Sequence, residues 1–301
     1  RDSGEADEAF ESGRGLRPQG TCESGNGEGG GCYREAHGRS PGKSSPTNAR
    51  KGRRTPHYSL MPPASMSQVP DLETAAERLR SASSVVVFTG AGVSAESGLP
   101  TFRSGGDAMW RHEDIQNYAY PAGYRLHAPK SWQWYSQRAA AALKVQPNPA
   151  HHAIAAMEGR VADFLLVTQN IDNLHQRAGS TKVVELHGNL PRVRCFDCDA
   201  LSDWPDPAGN PVCESCGGLL RPDVVMFEET LPYEAMERAH EAARSCDLLV
   251  SVGTSNLVWP AAEIPQVTLR SRGHVLVVNP DMEGQPWGRK VMQLRGPAGL
   301  P

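Results

Sequence analysis

A glycine-rich run follows the first strongly apolar segment of the chain. Val85–Thr89 is rich in β-branched residues, which predicts a buried parallel strand, and Gly90–Arg103 comes directly after it. Such a strand, leading into a glycine turn and a helix start, can hold a pyrophosphate, because glycines let the backbone come close and the helix N-terminus offers free N–H groups. The next glycine after Gly90 and Gly92 lies six residues further on, so the spacing is not the usual G-x-G-x-x-G of a dinucleotide-binding turn.

Polar side chains stand at the predicted ends of two further strands. Thr168–Asp172 follows the apolar run Phe164–Val167, and because amide and carboxylate groups are costly to bury without partners, they indicate a ligand. The alternative is a helix N-cap formed by Asn170 or Asp172. His187 follows the next strand and is a candidate general base, since the ordinary pKa of histidine lies near neutrality. The alternative is a structural histidine with its hydrogen bonds satisfied.

Two later segments have the same relation to apolar runs. Gly253–Ser255 follows Leu248–Val252 and offers N–H and hydroxyl groups to a phosphate or a ribose. Asn279–Asp281 follows Val275–Val278 and is suited to the ribose of an adenosine. Because ligands of parallel α/β sheets bind at the carboxyl ends of the strands, we expect these polar segments to lie along one edge of a sheet.

Four cysteines have the spacing of a metal site. Cys195 and Cys198 form one C-x-x-C pair, and Cys213 and Cys216 form a second pair after fourteen intervening residues. Two such pairs complete a tetrahedral, four-sulfur shell for Zn²⁺, and a closed shell predicts a structural ion with no catalytic position. The alternatives are a chance coincidence of two turns or a redox motif. Cys246 precedes a predicted strand and is expected to be a buried core thiol.

Tyr135 and Arg138 form a possible anion-binding pair. They lie three residues apart in a predicted helix and therefore share one face. A guanidinium beside a phenol can hold a carboxylate through paired N–H bonds and one O–H bond. The alternative is an arginine on an exposed helix face that is solvated and has no ligand.

The elements that position these residues alternate along the chain. Leu72, Ala75, Ala76 and Leu79 mark a short amphipathic helix before the first strand, and an alanine-rich helix is expected over Tyr233–Ser245. Strands are expected at Phe164–Thr168, Val183–Leu186, Leu248–Val252, Val275–Val278 and Val291–Leu294. This alternation predicts an α/β fold with a parallel sheet and helices on both faces. Two segments interrupt it, a helical one over about 104–162 and the cysteine-bearing one over about 191–225.

Composition limits the class of protein. The formal net charge is −3, which offers no general attraction to nucleic acid, and no apolar run reaches the ~20 residues that span a bilayer. The seven cysteines do not form an even disulfide framework, which fits a reducing compartment. Residues 1–66 are rich in Gly, Ser, Arg and Pro and poor in aliphatic residues, which predicts a disordered leader before a folded part over 67–301. No sorting signal is recognisable, which favours the cytoplasm.

In this order, the motifs resemble the landmarks of the sirtuins, the NAD-dependent protein deacylases. The resemblance extends over about residues 70–300 and rests on Gly90–Arg103, Thr168–Asp172, Leu186–Gly188, the four cysteines, Gly253–Ser255 and Val278–Asn279. It implies a Rossmann-like sheet formed by about 70–103, 163–190 and 226–301, with a small helical and zinc-binding lobe beside it. It also implies that the cofactor, NAD, contacts Gly90, Ala91, Gly92, Ser94, Glu96, Thr101, Phe102, Arg103, Gln169, Asn170, Asp172, Gly253, Thr254, Ser255, Asn279 and Ala298.

The resemblance also implies a reaction. In sirtuins, the carbonyl oxygen of an acyl-lysine attacks C1′ of the nicotinamide ribose and expels nicotinamide. His187 is then implied as the residue that deprotonates a ribose hydroxyl, and Asn170 as the second catalytic residue. Water finally releases lysine and O-acyl-ADP-ribose. Acyl-lysine proteins or peptides are the implied partners.

Further similarities and one departure concern the substrate. The Tyr135/Arg138 pair resembles that of class III sirtuins, which remove succinyl and malonyl groups as well as, or better than, acetyl. The segment Arg221–Glu229 resembles the substrate-peptide strand of the family and implies contacts from Val225 and Phe227. Glu228 stands where the family has glycine, which implies an altered peptide preference and repulsion of acidic peptides.

Three other functions share some of these features. A mono-ADP-ribosyltransferase needs the same NAD site, but His187 and the Tyr135/Arg138 pair favour deacylation. A sensor that binds NAD or ADP-ribose without catalysis would follow if Glu228 blocked peptide entry. A hydride-transferring dehydrogenase is disfavoured by the glycine spacing and by the closed zinc shell.

Overall fold

Six parallel strands form the main sheet of the molecule. In the computed structural model, which describes residues 72–99, 112–204, 211–286 and 288–299, the strand order is β3-β2-β1-β7-β8-β9. These strands are β1 (Ser84–Thr89), β2 (Asp163–Thr168), β3 (Val183–Glu185), β7 (Leu248–Val252), β8 (His274–Asn279) and β9 (Val291–Arg295). The order reverses between β1 and β7, and ligands of open α/β sheets bind at such a switch point. The predicted α/β class is confirmed.

The central strand is apolar because both of its faces are covered. Val86 and Phe88 belong to one buried cluster, together with residues of the helices on that side of the sheet. Val85 and Val87 alternate with them and belong to a second cluster on the other side. Each fully buried side chain of this size contributes about 1.5–3 kcal/mol. A strand with two buried faces has no polar alternation, which is why β1 is a continuous apolar run in the sequence.

The described helices are α1 (Leu72–Ser81), α2 (His112–Tyr118), α3 (Pro121–Leu126), α4 (Ala128–Lys144), α5 (Pro149–Glu158), α6 (Leu174–Arg177), α7 (Tyr233–Ser245) and α8 (Ile264–Arg270). Helices α1, α5, α7 and α8 pack on the main sheet, whereas α4 packs on the smaller sheet described below. The predicted helices at α1 and α7 are confirmed, and α2–α5 occupy most of the predicted helical interruption. In the described part of the chain, no helix is both long and apolar enough to cross a membrane. The leader predicted over residues 1–66 lies outside the described residues.

A second, smaller sheet carries the cysteines. Its antiparallel strands are β4 (Gly188–Cys195), β5 (Leu201–Asp203) and β6 (Leu220–Val224), in the order β5-β4-β6. Trp132 of α4 packs in the same buried cluster as Val193 and Leu220, and its ring centroid lies 4.3 Å from that of Trp204. Sequence reasoning predicted a small zinc-binding and helical lobe here, which is confirmed, but it did not predict these three strands.

Candidate active site

The predicted polar segments meet at the carboxyl edge of the main sheet. The backbone N–H of Gly90, after β1, donates to the carbonyl of Val252 at 3.2 Å, and that of Gly92 donates to the carbonyl of Gly253 at 2.7 Å. The turn after β1 is therefore bonded directly to the loop after β7. This contact lies at the switch point of the sheet, where the topology places a ligand.

Glycine is required at the turn by close packing. A Cβ on Gly90 would lie 2.7 Å from Cβ of Thr254, and one on Gly92 would lie 2.6 Å from the carbonyl oxygen of Gly253. Either contact would push the two loops apart. The helix start that the sequence predicted after Gly90 is a short 3-10 helix (Ala91–Ser97), which ends at Gly98 in a left-handed conformation.

Three polar side chains form a buried cluster beside this turn. The hydroxyl of Ser94 donates to Oδ2 of Asp172 at 2.7 Å and accepts a hydrogen bond from Nδ2 of Asn170 at 3.2 Å. Burial raises the pKa of Asp172, while the hydrogen bond from Ser94 lowers it. Oδ1 of Asp172 also accepts from the N–H of Leu174 at the start of α6. Asp172 therefore fits both interpretations, helix cap and ligand-site residue. Its Oδ1 stabilises the start of α6, and its Oδ2 accepts the hydrogen bond from Ser94.

Gln169 connects the two halves of the edge. Its Nε2 donates to the hydroxyl of Thr254 at 2.9 Å, and its backbone N–H donates to the carbonyl of Thr89 at 3.0 Å. The loop after β2 is therefore fixed to the loop after β7 through a side chain. Its own backbone carbonyl faces His187.

His187 is held in one tautomer. Its Nδ1 lies 2.9 Å from the carbonyl oxygen of Gln169, and because a carbonyl can only accept, Nδ1 must carry the proton. Nε2 of the neutral ring then keeps a free lone pair. Burial lowers the pKa of His187, and the bond to Gln169 opposes that shift. At neutral pH the ring is therefore uncharged and can accept a proton at Nε2.

Two further buried histidines were not predicted as part of the site. Nε2 of His175 lies 2.9 Å from the hydroxyl of Thr89, and Nε2 of His151 lies 3.4 Å from that of Ser94. Burial lowers the pKa of His151 to about 4 and that of His175 to about 3, so both rings are neutral. His175 is three residues beyond Asp172, which is the only local signal that could have pointed to it.

The remaining predicted NAD contacts lie around the same edge. Gly253 has a φ of 60°, and its N–H donates to the carbonyl of Val278, while Ser255 is half-buried beside it. Asn279 ends β8, and its side chain donates to the carbonyl of Asp281.

Glu96 is exposed and accepts a hydrogen bond from the N–H of Gly299, next to the half-buried Ala298. Half-buried Ala91 opens the 3-10 helix. Thr101, Phe102 and Arg103 lie outside the described residues.

Tyr135 and Arg138 lie on α4, as predicted. Tyr135 is 2% exposed and packs in a cluster with Val224 and Met226. Its hydroxyl donates to the carbonyl of Tyr118 at 3.3 Å, and burial raises its pKa. The guanidinium carbon of Arg138 lies 3.2 Å from the centre of the Trp134 ring. Tyr135 is therefore placed beside the end of the small sheet and the segment that follows it, and Arg138 lies on Trp134 of the same helix.

The segment after β6 is fixed at both ends. The N–H of Val225 donates to the carbonyl of His187 at 2.9 Å, and the N–H of Phe227 donates to the carbonyl of Ala119 at 2.9 Å. Glu229 is held by Arg221, whose Nη2 donates to Oε2 at 2.7 Å. The ring of Phe227 is 39% exposed. This backbone therefore runs directly beside the candidate base.

Glu228 has a φ of 71°, the left-handed region that favours glycine. We expect Glu228→Gly to raise the stability by about 1 kcal/mol, because glycine adopts this conformation without the steric cost of a side chain. Glu228→Ala keeps that cost and removes only the carboxylate, so its unfolding midpoint should stay near that of the unaltered chain. Thermal unfolding compares the three proteins, and a glycine variant less stable than the alanine variant would contradict the explanation.

The four cysteines are brought together at one point. Their sulfur atoms all lie within 4.8 Å of one another, with Sγ of Cys195 3.5 Å from that of Cys216 and Sγ of Cys198 3.8 Å from that of Cys213. These distances are too long for disulfides, whose sulfurs are about 2.05 Å apart. Zn–S bonds of about 2.3 Å in a tetrahedron place the sulfurs about 3.8 Å apart. The cluster therefore fits a structural zinc ion, and Cys246 is buried elsewhere as predicted.

Comparison with known proteins agrees with this geometry. The Sir2 family model matches residues 90–260. The NAD-dependent protein deacylase 1 of Pseudomonas aeruginosa is 49% identical over 214 residues, which cover 68% of this chain and 86% of that protein. A solved Sir2 homologue–NAD complex is 38% identical with a TM-score of 0.68, covering 75% of this chain and 89% of that one. A solved Sir2–p53 peptide–NAD⁺ complex is 30% identical with a TM-score of 0.66, covering 76% and 94%.

Proposed function

The chain belongs to the Sir2 family, and from that premise we propose that it is an NAD-dependent protein-lysine deacylase that removes succinyl and malonyl groups and, more weakly, acetyl groups. The observation that carries the proposal is the tautomer of His187, whose Nδ1–H is committed to the carbonyl of Gln169 and whose Nε2 is left to accept a proton. The names of the curated relatives and the NAD-bound structural relatives support it.

The chemistry of the donor set fits NAD. The edge offers amides, hydroxyls and a carboxylate, which are the groups that bind ribose hydroxyls and a carboxamide. Asn170 and Asp172 are both tied to Ser94, so their side chains are held in place before a ligand arrives. Because Gly90 and Gly92 pack without side chains against the loop after β7, the two loops form one continuous edge against which a pyrophosphate can lie.

In the reaction, this chain's residues have to position, shield and move one proton. NAD, when bound, supplies the sugar carbon that nicotinamide leaves and to which the acyl oxygen becomes attached. His187 accepts the proton of a ribose hydroxyl at Nε2, and its Nδ1–H stabilises the resulting imidazolium through Gln169. Ser94 fixes the orientations of the Asn170 and Asp172 side chains, which would hold the nicotinamide ribose and carboxamide. Nicotinamide, free lysine and O-acyl-ADP-ribose are the proposed products.

The acyl-lysine peptide is proposed to lie beside the segment after β6. Val225 is bonded through its N–H to the backbone of His187, so a peptide that contacts Val225 and Phe227 brings its lysine close to the base. One structural relative contains both a peptide and NAD⁺. Because Glu228 is exposed next to Phe227, acidic residues close to the acyl-lysine are expected to weaken binding.

The acyl preference is proposed from Tyr135 and Arg138. Tyr135 packs in one cluster with Val224, at the end of β6, and with Met226, between the proposed peptide contacts Val225 and Phe227. Arg138 lies about one turn further along α4. A succinyl or malonyl carboxylate gains a charge-assisted hydrogen bond from the guanidinium worth about 1.5–3 kcal/mol, whereas a neutral acetyl group gains nothing from it. The Tyr135 hydroxyl can contribute by turning its proton from Tyr118 to the carboxylate.

Matched acetyl-, malonyl- and succinyl-lysine peptides test the proposal. The protein is incubated with NAD and each peptide, and nicotinamide release and peptide mass are followed. We expect turnover of all three, with the two charged acyl groups preferred. Failure to deacylate any peptide would overturn the deacylase assignment, and ADP-ribose attached to protein would favour the mono-ADP-ribosyltransferase alternative. NAD binding without any turnover would favour a sensor.

Arg138→Met isolates the contribution of the guanidinium. We expect desuccinylation to fall about 10- to 100-fold in kcat/KM, because the charge-assisted bond is lost, while deacetylation stays within about threefold. Arg160→Met, an exposed arginine beyond α5, changes the net charge equally and serves as the control. If both activities fell equally in Arg138→Met, the assignment of this arginine to the acyl carboxylate would be wrong.

A further inference from the structure

Gln285 is a buried polar residue in the segment after β8, where no motif pointed to a function. Its side chain is 5% exposed and makes two short hydrogen bonds to the loop after β7. Nε2 donates to the backbone carbonyl of Thr254 at 2.8 Å, and Oε1 accepts from Nδ2 of Asn256 at 2.7 Å. A single side chain therefore fixes two positions of one loop.

The loop that Gln285 holds is continuous with the candidate site. The hydroxyl of Thr254 accepts from Nε2 of Gln169 at 2.9 Å, and the carbonyl of Gln169 accepts from Nδ1 of His187 at 2.9 Å. Thr254 is also in tight contact with the glycine turn, since a Cβ on Gly90 would lie 2.7 Å from its Cβ. A shift of Thr254 would therefore move the Gln169 side chain and press on the turn after β1.

The conformation of this loop depends on the support. Gly253, directly before Thr254, has a φ of 60°, and Asn256, two residues after it, has a φ of 53°. Thr254 is therefore flanked by one left-handed residue on each side. Such a conformation persists when surrounding hydrogen bonds determine it. Gln285 supplies two of those bonds.

We propose that Gln285 is a positioning residue for NAD binding, which acts through Thr254 on the carboxamide of Gln169. This inference rests on the proposed function, because it assumes that the edge formed by these loops is the NAD site. Among the residues that the structure describes, the Gln285 side chain bonds to Thr254 and Asn256, so its removal should weaken binding of NAD while the acyl-peptide contacts beside β6 are retained.

Gln293 provides a matched control. It is a half-buried glutamine on β9, and its Nε2 donates to the carbonyl of Pro286 at 2.9 Å, one residue beyond Gln285. It therefore supports the same segment through the same type of bond. It has no hydrogen bond to Thr254 or Asn256 in the described part of the chain. Gln293→Met tests whether general loosening of the segment is sufficient to weaken NAD binding.

The experiment measures ADP-ribose binding by calorimetry and the steady-state constants for NAD and an acyl-peptide. We expect Gln285→Met to weaken ADP-ribose binding and to raise KM for NAD about tenfold, because two buried hydrogen bonds are lost. The KM for peptide should stay within about twofold, and Gln293→Met should bind ADP-ribose like the unaltered chain. Circular dichroism confirms that each variant is folded.

Gln285→Glu gives a second test that preserves size. Its carboxylate can still accept from Asn256, but it faces the carbonyl of Thr254 with no donor, so binding should weaken at least as much as in Gln285→Met. Unchanged ADP-ribose binding in a folded Gln285 variant would overturn the inference, and so would an equal loss in Gln293→Met. If the unaltered protein bound no ADP-ribose, the proposed function itself would fail, which is a separate result.

Discussion

Replacing His187 with alanine is expected to lower kcat for deacylation by about 10²- to 10⁴-fold, the range that a positioned general base contributes. The ring bonds to the carbonyl of Gln169 through Nδ1, and its Nε2 is the acceptor of the neutral tautomer. NAD affinity should stay close to that of the unaltered protein, because Gln169, Asn170 and Asp172 keep their own hydrogen bonds. Nicotinamide release and direct binding of ADP-ribose measure the two effects separately.

The pH dependence gives this prediction a second readout. Burial lowers the pKa of His187, so the acid limb of kcat/KM should lie below about 6.5, the ordinary value for histidine. Below its pKa the ring is protonated and cannot act as a base, so activity falls as the pH falls. His152→Ala, an exposed histidine on α5, is the control and should keep both activity and profile. Activity retained in His187→Ala, or NAD binding lost to the same extent as activity, would contradict the assignment.

The main sheet could be predicted from sequence because its strands are buried on both sides. β1 and β7 are predominantly apolar and buried runs, and a glycine follows directly after each of them, at Gly90 and Gly253. Parallel strands bring those ends to one edge, which is why residues separated by more than 160 positions could be assigned to one site before any contact was known. The hydrogen bond from Gly92 to Gly253 is the outcome of that pattern.

Features that depend on distant partners could not be predicted in this way. β4 and β6 carry arginine, proline and aspartate on a partly polar sheet, and their apolar residues pack with the cysteines and with Trp132, which comes from a distant helix. The 3-10 helix after Gly90 is short because Gly98 adopts a left-handed conformation. No local pattern indicates the pairing of β4 with β6.

Buried polar residues are the second group that sequence reasoning missed. His175 and Gln285 have no motif of their own, and their places follow from hydrogen bonds to Thr89 and Thr254, which are far away in the chain. Satisfying a buried donor or acceptor is a requirement of the folded state and leaves no periodic signal. Glu228 differs, because a resemblance marked its position as unusual and the left-handed φ supplies the physical reason.

Loss of the zinc ion is expected to unfold the small sheet and to abolish deacylation, while the main sheet remains folded. Two of the four zinc-site cysteines, Cys195 and Cys213, are also buried in the hydrophobic core that contains Trp132, Val193 and Leu220. The packing of this core therefore depends directly on the sulfur positions. Apparent binding free energies for structural zinc are about 10–16 kcal/mol, which exceeds what a three-stranded sheet of this size can supply alone.

One strand, β4, connects the cysteine cluster to His187. β4 begins at Gly188, directly after His187, and Gly188 pairs with Val224 at the end of β6. When the two strands separate, the backbone bond between His187 and Val225 loses its support, so the base and the peptide segment lose their relative positions. Deacylation should therefore disappear together with the small sheet, even though no cysteine contacts a reacting atom.

Titration with a strong chelator and the variant Cys216→Ser both test this coupling. We expect one zinc ion per chain in the purified protein, and a change of tryptophan fluorescence from the stacked Trp132 and Trp204 as the ion is removed. Cys246→Ser, a buried cysteine outside the cluster, is the matched control and should keep its zinc and its activity. ADP-ribose binding should survive chelation in part, because the loops after β1, β2 and β7 belong to the main sheet. A protein that held no zinc, or kept full activity after losing it, would show that the sulfur cluster does not support the position of His187.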